Sequence, residues 1–182
     1  MIEIPAPLYA LTLYKPWPYA IFHLPAERAK RIENRTWKPP ASIVGKRVAI
    51  HAGKRMDMAA FDVPPIADAL ARSSQHERNL ALQGGIIGTA VVAGWVDTSP
   101  NVTAAEMFGG RLTDEDAAMA MLTGWFSGPI GWVLDEVSAL TSPVECSGAQ
   151  GLWVVPPDVR AQVIVRTRRP DESAIEAPHA KR

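Results

Sequence analysis

The sequence predicts an α+β fold, a small, mostly antiparallel β-barrel of five or six strands with flanking helices. Three observations lead there. The segments that read as strands and as helices do not alternate regularly, which disfavours a doubly wound parallel sheet. The strongest strand signal, Ile86 to Val96 (IIGTAVVAGWV), is a β-branched run containing Gly88 and Gly94. Glycines inside a strand mark a bulge or a close backbone approach, which suits a curved sheet better than a flat one. The chain has 182 residues, of which 47% are apolar and 21% charged. That is the composition of one folded domain, able to bury about 70% of the surface its unfolded form exposes.

Taken in order, Tyr9 to Tyr14 (YALTLY) is apolar and β-prone and reads as the first strand. Pro16 and Pro18 then open a short helix through WPYAIFHL, because a proline in the first turn forfeits an N–H that would be unbonded anyway. Arg31 to Trp37 (RIENRTW) alternates as a strand with Ile32 on one face, and Pro39-Pro40 stops it. Lys46 to Ala52 (KRVAIHA) is a clearer strand, closed by Gly53. Asp57 to Leu82 reads as helical, interrupted at Pro64-Pro65, with Ile66, Leu70 and Leu80 as its apolar stripe. Ile86 to Val96 follows as the long strand.

Thr103 and Glu106 have capping-box spacing and predict a helix start. Thr113 caps a second short helix to Met121, with Asp114, Glu115 and Asp116 placed where the helix dipole favours negative charge. That acidic trio is therefore read as structural rather than metal-binding. Ile130 to Val137 and Leu152 to Val155 are the last strands, and Pro156-Pro157-Asp158 opens an amphipathic segment through Val165. No internal repeat or long linker divides the chain. We expect one domain over residues 1–165 and a disordered polar tail over 166–182.

Charge is balanced overall, with 19 basic and 19 acidic residues, but unevenly spread. From Lys15 to Arg55 ten basic residues face two acids, a net +8. From Asp57 to Asp158 three bases face thirteen acids, a net −10. Such a basic segment either presents one positive face or is a set of unrelated solvated positions. The single cysteine, Cys146, permits no internal disulfide and fits a reducing cytoplasm. No CxxC pair occurs, the four histidines are scattered, and no apolar run reaches membrane-span length. The N-terminus lacks signal-peptide character. The sequence implies no metal and no organic cofactor, and it names no protein partner.

The residues that suggest chemistry cluster early. In a strand, Arg31, Glu33, Arg35 and Trp37 share one face. With Ile32 in the core, a carboxylate between two guanidiniums lies on the open side. Such a triad can anchor a phosphate or hold a base edge, or it can be a surface ion-pair ladder worth little. Trp17 and Trp37 are the aromatic residues placed to stack a base, if they are not simply core. His51, beside Lys54 and Arg55, is a general base, a phosphate contact, or a satisfied core histidine. Cys146 and His51 form a nucleophile pair only if the fold brings them together, and a packed free thiol is the simpler reading. Ser147 to Gly151 (SGAQG) matches no Walker loop or GxGxxG pattern and reads as a turn exposing backbone N–H groups.

In that order, LTLYKPWPYAIF, KRIENRTW, GKRVAIHAGKR, IIGTAVVAGWV, WFSGPIGWVLDEV and PVECSGAQGLWVVP resemble an ASCH (activating signal cointegrator homology) domain of the PUA-like superfamily. The likeness spans roughly residues 8 to 156. The family signature GxKxxExR is matched at Lys30, Glu33 and Arg35, with Arg28 where glycine is usual. The resemblance implies a PUA-like barrel with a cleft, lined by the signature residues, suited to RNA or a nucleotide.

The resulting expectation is a nucleic-acid-binding protein that takes single-stranded RNA or a modified base. Its contacts would be Lys15, Trp17, Lys30, Glu33, Arg35, Trp37, His51, Lys54 and Arg55. Some small ASCH proteins remove an acyl group from N4-acylated cytidine with a lysine, a threonine and a glutamate. The lysine falls on Lys30, the candidate general base or activator. The threonine position holds Glu33, a departure from the pattern, and Glu106 is the guess for the third residue. A ribonuclease is the remaining alternative, although no acid–base pair for in-line attack stands out.

Overall fold

A computed structural model describes residues 6–167. Seven strands form one sheet: β1 (Tyr9–Lys15), β2 (Ile32–Arg35), β3 (Arg47–Met56), β4 (Gly85–Asp97), β5 (Phe108–Gly110), β6 (Ile130–Val144) and β7 (Leu152–Val154). Five helices accompany them: α1 (Trp17–Phe22), α2 (Pro64–Arg72), α3 (Gln75–Leu82), α4 (Asp114–Leu122) and α5 (Pro157–Arg166). The strand order is β2-β6-β4-β3-β1-β7, with β5 added on β4. Every pairing is antiparallel except β1 with β3. The sheet curls into a half-barrel, so the architecture is α+β, as the irregular strand and helix order predicted.

Curvature comes from β4 and β6, whose register shifts at three places, next to Gly88 and Gly94 among others. At Gly88 a Cβ would lie 2.3 Å from the Phe22 ring, so this glycine lets α1 settle on the sheet. Alternation then divides the core. Leu11, Leu13, Val48, Ile50, Val92 and Trp132 face one way and pack together. Ala10 and Ala49, on the opposite face, pack under Val159 and Val163 of α5. A third group, with Tyr19, Ile66, Ala117, Ala120 and Trp125, joins α1, α2 and α4 to the sheet end. Trp132 is 0% exposed and donates its indole N–H to the Trp37 carbonyl at 2.9 Å.

Three expectations need correction. β3 does not end at Gly53; it continues to Met56 through a bulge. Thr103 does cap with Glu106, but the turn it starts is only a 3-10 turn over Ala104–Glu106. β5 was not foreseen, because three residues, FGG, carry no alternation to read. At the end of the domain, α5 runs to Arg166, and Thr167 bridges Leu140. The tail expected to be disordered lies otherwise outside the described residues. Among the described residues no helix is long and apolar enough to cross a membrane.

Candidate functional site

β1 and β3 lie side by side in register until Leu13 pairs with Ala52, and the next pair is Lys15 with Met56. Between those pairs β1 spends one residue and β3 spends three, Gly53, Lys54 and Arg55. Surplus residues in one strand bend it and re-aim its side chains. Here they leave Lys54 and Arg55 without a partner on β1, and both are exposed. Arg55 leans on Tyr14, donating to its hydroxyl at 3.2 Å with the guanidinium over the ring.

The bulge forms one wall of a cleft of ≈ 600 Å³. Trp17, Glu33 and Arg35 form another, and the loop from Gly148 to Gly151 closes the third. Small-ligand sites fall roughly in the range 300–1,000 Å³, so the size suits a nucleotide. Trp17 is fixed by its indole N–H to Asp57 Oδ2 at 3.0 Å and by an edge-on contact with Trp125.

At the cleft floor sits a charge cluster. Lys30 is 2% and Glu33 8% exposed. Lys30 Nζ donates to Glu33 Oε2 at 2.7 Å and to the Ile32 carbonyl, and it lies over the Trp17 ring. Arg35 Nε is 3.3 Å from Glu33 Oε1, close enough for an ion pair but not aligned as a hydrogen bond. Its Nη2 is buried without a hydrogen-bond partner. One carboxylate therefore serves two cations, and Arg35 keeps donor capacity in hand.

A second concavity of ≈ 530 Å³ adjoins the first and shares Thr12, Gly53, Lys54 and Gly148 with it. Lys15, His51, Glu145 and Cys146 also line it. His51 is 5% exposed and its Nε2 meets the Cys146 carbonyl at 3.1 Å, so that nitrogen carries the proton. Burial lowers the His51 pKa, against the raising effect of that hydrogen bond, and favours the neutral ring. Burial likewise pushes the Cys146 thiol up. The two residues are thus adjacent, yet the contact is to a backbone carbonyl and the thiol is held protonated. This is a packed thiol beside a core histidine, and not a nucleophile pair.

The cleft accordingly gathers Trp17, Glu33, Arg35, Lys54 and Arg55 from the nine residues singled out in the sequence, with Lys30 beneath them. Lys15 and His51 belong to the second concavity. Trp37 lines neither; its ring meets Trp132 edge-on at 4.6 Å as part of the core. Arg31 leaves the shared face as well, turning its guanidinium onto the Ile21 and Lys30 carbonyls, where burial lowers its pKa. Glu106 stays exposed, capping its own turn through Thr103. Sequence reading missed Thr12 and Tyr14, although strand alternation carried the signal: with Leu11 and Leu13 in the core, the residues between them must face away. Among the described residues no group of three or more metal-ligating side chains converges.

Comparison with solved structures finds a mutant of ZmASCH, from Zymomonas mobilis. It is 13% identical, the match covers 90% of this chain and 100% of that one, and the TM-score is 0.44. No protein-family model and no curated protein matches.

Proposed function

We propose that the protein is a nucleic-acid-binding module that holds single-stranded RNA, or a modified base within it, in the cleft beside the β3 bulge. One observation carries the reading. Arg35, Lys54 and Arg55 converge on the cleft, while its one acid, Glu33, is already engaged by Lys30 and Arg35. The excess positive charge suits phosphate, the partly exposed Arg35 guanidinium suits a phosphate or base edge, and Trp17 offers a ring for stacking. Glu33 then acts mainly by holding Arg35 in place.

Fluorescence anisotropy with a labelled single-stranded RNA tests this, at low and near-physiological salt. Binding should weaken steeply with salt, because each phosphate contact releases counterions. Arg35→Ala should weaken it further and reduce the salt slope by about one contact. No binding at low salt would sink the proposal.

A second reading, an amidohydrolase acting on N4-acylated cytidine, is favoured by the buried Lys30–Glu33 pair at 2.7 Å. Against it, Glu33 stands at the position of the expected threonine, Glu106 does not line the cleft, and Lys30 Nζ is already committed to two acceptors. Turnover of free N4-acetylcytidine that disappears in Lys30→Ala would decide for it. The same RNA, run on a gel after the titration without added metal, would reveal any cleavage.

A further inference from the structure

The second concavity is not explained by a single base in the cleft. It is comparable in size, ≈ 530 Å³ against ≈ 600 Å³, and the two share Thr12, Gly53, Lys54 and Gly148 as lining. Gly148 stands in the shared wall, and a Cβ there would come within 2.5 Å of the His51 ring and 2.6 Å of Thr12 Oγ1. Only a residue without a side chain fits at that position. Lys54, left without a β1 partner by the bulge, borders both.

The chemistry of the second space suits a nucleotide's sugar and phosphate better than an anion alone. Lys15 Nζ makes one hydrogen bond, to the Leu82 carbonyl at 3.1 Å, out of the three an ammonium can donate. Glu145 faces the same space and supplies an acceptor for hydroxyl or amino groups. Neutral His51 anchors the back wall through Cys146.

Resting on the RNA-binding reading above, we infer that the two concavities form one groove that holds two consecutive nucleotides. Lys54 contacts the phosphodiester that joins them, and Lys15 contacts the second nucleotide. The ligand is then an oligonucleotide and not a free nucleoside.

The test is competition of 5′-phosphorylated mono-, di- and trinucleotides of one base against the labelled RNA on the full chain. The dinucleotide should bind roughly tenfold or more tightly than the mononucleotide, as one added stacked or phosphate-bound unit gives, and the trinucleotide little better. Lys15→Ala should shrink the dinucleotide-to-mononucleotide ratio. Equal affinity of mono- and dinucleotide for the unmodified protein would overturn the two-nucleotide groove and leave the RNA-binding reading standing. A ratio unchanged by Lys15→Ala would also overturn it. Failure of every length to compete would overturn both.

Discussion

Glu33 holds the floor of the cleft together, because one buried carboxylate compensates two cations. Removing it strands Lys30 and Arg35 without a counter-charge, whereas removing Lys30 leaves Glu33 its partner Arg35. Breaking a buried pair by deleting one member costs about 3–5 kcal/mol. Glu33→Ala should therefore lose stability on that scale, and Lys30→Met clearly less, as measured by urea midpoints. The reverse order would show that the cluster is organised around the lysine. The signature spacing disclosed these three residues in the sequence. It could not disclose that Arg31 and Trp37, on the same nominal face, turn elsewhere. Strand alternation holds only while the strand lasts, and β2 is just Ile32–Arg35.

The elements most legible in the sequence carry their own local signals. Thr113 caps α4 by accepting from the Asp116 N–H at 3.2 Å, while Asp116 reaches back to the Thr113 N–H at 2.8 Å. Hydrogen bonds from Thr113 hold the Asp116 carboxyl below its ordinary value. Thr113→Ala should cost about 1 kcal/mol, seen in thermal or urea unfolding, without altering RNA affinity. An affinity loss would place α4 closer to the site than its packing indicates. Elements set by pairing are less legible. β5 exists because Phe108–Gly110 meets β4 at Val96, Trp95 and Gly94, and no property of FGG alone announces a strand. The extension of β3 beyond Gly53 depends on β1 lying alongside, and that bulge builds the cleft.

For the molecule as a whole, folding redistributes the charge that the sequence segregates. Arg28 pairs with Asp68, Lys38 with Asp97 and Arg47 with Glu136, so three acids of the −10 stretch are set against three bases of the +8 stretch. Of the cations outside those pairs, Lys54 and Arg55 border the cleft beside Arg35, and Lys15 borders the second concavity. Acid should destabilise the protein in two stages. Burial depresses the His51 pKa, so its contribution is full above the ordinary imidazole value of 6.5 and is lost as pH falls through the lowered folded value. Asp97 is buried, which alone would raise its pKa, but hydrogen bonds from Ser99 and the Lys38 pairing outweigh this and lower it. Its contribution is present above the ordinary aspartate value of 3.8 and vanishes below. Denaturation midpoints followed from neutral to acid pH should fall in both windows, and Asp97→Asn should flatten the lower one. An unchanged lower limb in that variant would mean that other carboxylates carry it.

The sequence alone determined the α+β class, most strands and helices, and the residues of the charge cluster, because periodicity, caps and prolines act over a few neighbouring positions. Tertiary structure decided which of those residues share a space. Gly148 and Gly53 lie 95 positions apart, yet they border the same cleft. Only pairing of distant strands, the bulge that misregisters them, and long-range ion pairs could choose Arg35, Lys54 and Arg55 from ten basic residues as the cations that line the cleft, with Lys15 in the adjoining concavity.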